Sequence, residues 1–393
     1  MIFDRIYDKR LQFLLANFPC VAIVGPRQVG KTTLVRKISE SSDKPAIYLD
    51  LESDEDIVKL QAAELYFLQR QDHLIIIDEI QRNPSLFSLL RSSIDRKREP
   101  GRFLLLGSAS PELMMKSSES LAGRIAYLEI HPFCYSEVQS SVSIDELWLR
   151  GGFPEALLAK SDVLSYEIRS QFIKTYMERE MALLGLNTSP SRLSQLLRMI
   201  AHLQAQTLNI SQLSSSMRID TKTLVRYLDY LEYAFLIRRL ESFHTNSGKR
   251  LIKSPKIFIR DTGVMHSLSG IETKEDLDGY PAKGASWESF VVQQIMARLN
   301  AQVSACYYRT QDGTELDLVL SKGMRPLVGI EIKLGNAPKI TKGTTLAAND
   351  LGNIPIYVVT HSVGEDYQHN EWITITSFER IFFYLEKHKL LQY

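Results

Sequence analysis

The segment Gly25-Pro26-Arg27-Gln28-Val29-Gly30-Lys31-Thr32-Thr33 sets two glycines, a lysine and a hydroxyl at the G-x-x-x-x-G-K-T spacing. It lies between the apolar run 20–24 and a helical pattern that starts at Leu34. This arrangement suits phosphate. Gly25 and Gly30 allow backbone angles that turn successive amide N–H groups inward, as a nest for phosphate oxygens. The helix N-terminus behind them adds partial positive charge. Lys31 supplies a point charge for the β- and γ-phosphates of ATP, and the Thr32 hydroxyl can complete a magnesium shell. Farther on, His73 to Ile80 reads as a buried parallel strand ending in two acids. Strand ends of such sheets face the ligand crevice. Asp78 is therefore expected to hold magnesium and Glu79 to polarise the attacking water as a general base. The strand Phe103 to Leu106 runs into Gly107-Ser108-Ala109-Ser110, where Ser108 is expected to meet the γ-phosphate or the lytic water. Arg124, just before the strand-like stretch 125–130, is the candidate for an arginine donated to a neighbouring subunit's site.

A second constellation lies at the back of the chain. A helical pattern over 286–299 carries Glu288 near its start. A hairpin follows, with Asp312-Gly313 as its turn and Asp317 on its second strand. The next strand, 327–333, carries Glu331 and Lys333, two residues apart and so on one face. Helix Glu, hairpin Asp and strand Glu-x-Lys in this order resemble the restriction-endonuclease-like (PD-(D/E)XK) core. The resemblance implies that Asp317 and Glu331 bind magnesium with support from Glu288, and that Lys333 positions or deprotonates a water. The bare residues fit equally a surface ion pair, and such folds often bind without cutting.

These groups need elements to hold them. The front reads as an α/β parallel-sheet core over 1–140, with a further strand at 46–51. Residues 141–190 read as a helical lid. Between 191 and 270 a short helix, a turn and a longer helix form a winged helix-turn-helix. The longer helix carries Leu224, Leu228, Leu231 and Phe235 as one buried stripe, and Asp220 or Thr221 suits its N-cap. Lys222 and Arg226 lie off that stripe, where a recognition helix meets DNA. Residues 238–260 hold seven basic residues (238, 239, 249, 250, 253, 256 and 260) against one acid, Glu241, the pattern of a phosphate-contacting wing. A solvated hairpin or a docking face for an acidic partner is the alternative. Residues 271–393 complete an α/β module.

Taken together, the phosphate loop, Ile77-Asp78-Glu79-Ile80-Gln81, Gly107-Ser108 and Leu121-Ala122-Gly123-Arg124 resemble the AAA-type ATPases of bacteria and archaea with a C-terminal domain of unknown function 4143. The likeness continues through Gly151-Gly152-Phe153-Pro154-Glu155, Lys249 to Lys256 and Asp261-Thr262-Gly263. It implies a P-loop AAA-type core, ATP and magnesium as cofactors, and a homo-oligomer. Arg179-Glu180 departs from the Arg-Asp pair expected in relatives. The expected activity is ATP hydrolysis coupled to DNA, with an ATP-gated protein switch or an ATP-driven nuclease as alternatives.

Composition narrows the classes. The 393 residues hold 47 basic and 46 acidic side chains, so only local charge argues for nucleic acid. No apolar run approaches the roughly 20 residues of a membrane span, and the N-terminus lacks the pattern of a signal peptide. Three cysteines, far apart and odd in number, fit a cytoplasmic location and speak against disulfides or structural zinc.

Overall fold

Five short apolar runs, each too brief for a stable helix, pair into one parallel sheet. They are β1 (Cys20–Val24), β2 (Ala46–Asp50), β3 (Leu74–Asp78), β4 (Phe103–Gly107) and β5 (Ile125–Glu129), in the order β2-β3-β4-β1-β5. The computed structural model describes residues 3–40, 44–107, 119–183, 189–244, 250–335, 337–362 and 364–392; of residues 179–183 it describes only the helical backbone. All five positions of β1, β3 and β4 are buried, as a sheet covered on both faces requires. One face packs Val21, Ile23 and Ile76 on Leu34, Val35 and Ile38 of the helix Lys31–Glu40. The other packs Ala22, Ile75 and Ile77 on Phe87, Leu90 and Ile94 of the helix Leu86–Arg96.

The lid contains the helices Ile144–Arg150, Pro154–Leu157 and Asp162–Leu183. Ser143 and Glu146 close the first as a capping box. The segment expected to form the winged helix follows as Pro190–His202, Ile210–Met217 and Thr221–Tyr233, with β6 (Gln206–Thr207), β7 (Ile237–Leu240) and β8 (Lys256–Ile259) in the order β6-β8-β7. Asp220 is the N-cap of the third helix, its carboxylate accepting from the Thr223 N–H. Leu224, Leu228 and Leu231 are buried as their spacing predicts. Phe235 instead takes a left-handed φ of 58° in the turn before β7.

At the back, β9 (Ser304–Arg309), β10 (Glu315–Lys322) and β11 (Arg325–Ile332) pair antiparallel. Then β12 (Ile356–Thr360) and β14 (Ile373–Ser377) add in parallel, with β13 (Tyr367–Gln368) at the edge. The helices Lys283–Arg298 and Phe378–Lys387 cover this mixed sheet.

Two glycine motifs far apart in sequence lock the lid to the winged helix. Asp261 follows β8 by two residues; its Oδ2 accepts from Gly152 N at 2.8 Å and its Oδ1 from Val264 N at 2.9 Å. A Cβ on Gly151 would lie 2.1 Å from Asp261 Oδ1, and one on Gly263 would lie 2.0 Å from the Arg150 carbonyl oxygen. Only glycine allows this approach. Nearby, His266 is fully buried between the Leu149 carbonyl (2.9 Å) and Ser286 Oγ (2.7 Å). Burial drives its pKa down to about 3, so it folds as the neutral imidazole. A depressed histidine contributes stability above its unfolded pKa, and that stability is lost as pH falls through the window from 6.5 toward 3. The stability gap between wild type and His266→Gln should therefore narrow by about 2 kcal/mol between pH 7.5 and pH 5. Urea unfolding of both proteins at the two pH values measures it, and a gap that does not change would refute the assignment.

Candidate functional site

The phosphate loop leaves β1 at Gly25, whose φ is 154° and whose added Cβ would stand 2.4 Å from the Ile130 carbonyl oxygen. Gly30 closes the loop with φ 91°, and Gln28 also takes a positive φ of 62°. Lys31 opens the helix behind. Its side chain is buried, and its ammonium donates to the carbonyls of Gly25 (3.0 Å) and Pro26 (2.8 Å). The lysine is thus folded back on the loop that it serves.

The acidic strand end meets this loop from β3. Thr32 Oγ1 donates to Asp78 Oδ2 at 3.2 Å, and the Tyr48 hydroxyl, from β2, donates to the same oxygen. Asp78 Oδ1 accepts from Glu79 N at 2.8 Å. Thr32 and Asp78 therefore present hard oxygen donors side by side, a set that fits magnesium. Glu79 stands at a left-handed φ of 52°, a strained conformation for a non-glycine residue at a strand end. Its carboxylate accepts from Gln81 Nε2 and lies 3.6 Å from the Arg27 guanidinium. Burial pushes the Glu79 pKa up despite the pull of Arg27, moving it toward the range of a working base.

These residues line one cleft of about 610 Å³, a size that suits a small-molecule ligand. Arg27, Gln28 and Gly30 to Thr33 supply its polar wall with Asp78 and Glu79; Phe3, Phe133, Pro154 and Leu158 supply an apolar one. A groove of about 650 Å³ between the helices Asp162–Leu183 and Pro190–His202 holds none of the phosphate-loop residues. Ser108 lies outside the described residues, as does Lys249.

Arg124 does not approach its own chain's cleft. It precedes β5 at the end of the strands where Ile125 pairs with Cys20, whereas the phosphate loop leaves the opposite end of the strands after Val24. There it makes a two-pronged ion pair with Asp95, at 2.6 and 3.0 Å.

Arg5 carries a role that its place in an amphipathic pattern did not reveal. Nearly buried, it donates to the Val29 carbonyl (2.7 Å), the His131 carbonyl (2.6 Å) and Glu137 Oε1 (2.8 Å). It braces the phosphate loop from behind. No local spacing signals this, because the three acceptors come from distant segments.

The wing also departs from expectation. Of its basic residues, Arg239 pairs with Asp229 and Glu232, Arg260 with Glu129, and Lys256 with Glu288, Glu315 and Asp317. Arg238 is enclosed, and burial lowers its pKa to about 9. Arg250 and Lys253 are exposed. Three of the basic residues are thus neutralised by partners inside the molecule. On the helix-turn-helix, Arg218, Lys222 and Arg226 remain at the surface.

Of the C-terminal carboxylates, Glu288 and Asp317 meet on one lysine. Glu288 and Asp317 share Lys256 Nζ, Asp317 Oδ2 accepts from Ile332 N at 2.8 Å, and Glu331 pairs with Lys333 at 2.5 Å. Yet among the described residues no three acids, histidines or cysteines are set to hold a metal ion together. An ammonium stands in their midst instead.

Family models match an AAA domain over residues 17–139, domain of unknown function 8612 over 141–275 and domain of unknown function 4143 over 283–381. An uncharacterized protein of Mycobacterium tuberculosis is 42% identical over 342 residues, covering 87% of this chain and 76% of the relative. The chain belongs to the AAA-type P-loop ATPases that carry domain of unknown function 4143. This ATPase is also 22% identical to an uncharacterized protein of Haemophilus influenzae, over 81% of the chain and 83% of that relative. Among solved structures, a Walker-type ATPase of Pyrococcus abyssi matches 68% of the chain and 96% of its own length, at a TM-score of 0.48 and 19% identity. Among the described residues no helix is long and apolar enough to cross a membrane.

In this ATPase the bracing by Arg5 has a measurable consequence. A hydrogen bond from a charged donor contributes roughly 1.5–3 kcal/mol, so Arg5→Ala should raise the ATP Kd about tenfold or more. Titration with a fluorescent ATP analogue reads this directly. An unchanged Kd would show that the loop holds its shape without the brace.

Proposed function

We propose that the chain is a magnesium-dependent ATP-hydrolysing switch whose nucleotide state is passed through the lid to the winged helix and C-terminal module, where a protein partner is recognised. One observation carries this reading. Pro154 and Glu155 line the cleft beside Lys31 and Thr32, while Gly151 and Gly152 of the same segment are locked to Asp261. A ligand that presses on the lid thereby presses on the winged helix.

The residues divide the work. The loop amides and Lys31 bind the triphosphate; the lysine exchanges the Gly25 and Pro26 carbonyls for phosphate oxygens. Thr32 and Asp78 would hold the magnesium that accompanies ATP, and that ion would supply positive charge against the phosphates. Glu79 orients the water and takes its proton, released from Arg27 as the cleft fills. The apolar wall of Phe133, Pro154 and Leu158 shields the nucleotide from solvent. A homo-oligomer in which Arg124 reaches a neighbour's site would require that arginine to leave Asp95.

A protein rather than DNA is favoured because Arg239, Lys256 and Arg260 of the wing are engaged in internal ion pairs. The DNA reading rests on Arg218, Lys222 and Arg226, exposed on the helix-turn-helix. Salt separates the two. DNA held by these residues should weaken steeply between 50 and 200 mM salt, in proportion to the phosphates contacted. Fluorescence anisotropy with duplex and single-stranded DNA tests this, and no retention at low salt leaves the protein reading standing.

For the nucleotide site itself, Lys31→Ala should abolish measurable ATP binding. Glu79→Gln should retain ATP and lower kcat roughly 10²–10⁴-fold, the usual contribution of a general base. Equilibrium dialysis and phosphate release measure the two. Wild-type turnover in both variants would remove the assignment.

A further inference from the structure

Lys256 projects from β8 of the winged helix into the C-terminal domain, and its side chain is 2% exposed. Its ammonium lies 2.9 Å from Glu288 Oε1, 2.9 Å from Glu315 Oε1 and 3.1 Å from Asp317 Oδ1. An ammonium has three protons to donate, and three carboxylates receive them. A fourth carboxyl stands next to this set. Glu331 gives Oε1 to Lys333, while its Oε2 is buried and has no hydrogen-bond partner among the described residues.

Such a gathering of acids is unstable without a cation. Carboxylates a few ångströms apart in a poorly solvated space repel, and each would otherwise keep its proton. A buried lysine with no partner is equally unfavourable, since its charge is taken out of water with nothing in return. Each half of the contact therefore requires the other. The ligand type is telling as well. Clustered carboxylate oxygens are the donor set of a hard divalent cation, and here the central position belongs to the end of a side chain from another domain.

We propose that the Glu288–Glu315–Asp317 cluster is a cation site whose resident cation is Lys256, so that a divalent ion enters only when β8 withdraws. The winged helix thus acts as the plug of this site. In the plugged state the C-terminal domain has no place for the ion on which phosphodiester cleavage would depend. Withdrawal would expose Glu331 Oε2 as a further ligand and leave Lys333 beside the new ion. The proposal does not depend on ATP hydrolysis, because it concerns the nucleotide-free chain.

Mn²⁺ is the probe, titrated into the full-length, nucleotide-free protein and followed by the electron paramagnetic resonance signal of the free ion. Wild type and Asp317→Asn should give the same isotherm, since the cluster is already filled. Lys256→Ala should gain one site with an increase of about tenfold or more in Mn²⁺ affinity, and Lys256→Ala with Asp317→Asn should lose it. A wild-type protein that binds an ion dependent on Asp317 overturns the proposal, as does a folded Lys256→Ala that gains nothing. Should Lys256→Ala fail to fold, the charge-balanced pair Lys256→Met with Glu288→Gln takes its place. A cluster held by its counter-cation should then recover the wild-type circular dichroism spectrum and most of its thermal midpoint. A pair as unfolded as the single variant refutes the counter-cation role.

Discussion

A short buried strand, β8, ties the molecule together because charged groups at or just beyond its ends engage other units. All four of its residues are buried. Beyond its C-terminal end, Arg260 pairs with Glu129 at the end of β5, and Asp261 takes the Gly152 amide of the lid. At its N-terminal end, Lys256 sits among three carboxylates of the C-terminal domain. Removing one partner of a buried charge pair is far more damaging than never having made it. The strand is therefore constrained in position from both sides, and the orientation of the winged helix follows from that constraint.

The nucleotide cleft obeys a different physics, that of the backbone. Its phosphate loop exists because Gly25 can pass within contact of the Ile130 carbonyl and because Gly30 and Gln28 can take positive φ. Glu79 takes a positive φ without being glycine, and the strain is held by neighbours that fix it. Asp78 Oδ1 accepts from the Glu79 amide N–H, and the Gln81 side-chain amide donates to the Glu79 carboxylate. A carboxylate so held would stand near its working position before a water arrives, with only the Arg27 contact left to give way.

What could be read from the sequence divides along the same line. The phosphate loop, the acidic strand end, the Asp220 cap and the Asp312-Gly313 turn were legible because each is a local demand of backbone geometry on residue type. The pairing of Glu331 with Lys333 on one face was legible from the strand period, whereas the lysine between Glu288 and Asp317 was not. The fate of the wing cations was not. A run of lysines and arginines shows charge but not partners, and Lys256 finds its carboxylates 32, 59 and 61 positions away. Arg5 was missed for the same reason, and so was the ion pair that keeps Arg124 on Asp95. The glycines at 151, 152 and 263 looked like signatures without a role. Their role is the absence of a Cβ where two segments meet.

That absence bears on how a signal could cross the molecule. A run of hydrogen bonds, carried by the chain itself from His131 to Phe133, leads from Val29 to Arg5, from Arg5 to His131, then from Phe133 to Gly152 and from Gly152 to Asp261. Continuity alone does not make a pathway; coupling needs an element with two arrangements that both sites bias. The lid joint has the property such an element requires. Its contacts have no slack, because a Cβ at Gly151 or Gly263 would fall about 2 Å from its neighbour. Pulling this joint apart breaks the Gly152–Asp261 hydrogen bond, so it moves with β8 or it parts. Either outcome is discrete, and a ligand can shift a discrete equilibrium only by the difference in its affinity for the two states. Contacts that ATP would make with the loop and with the lid at once are the ones able to supply that difference, since loop contacts alone would be the same in both.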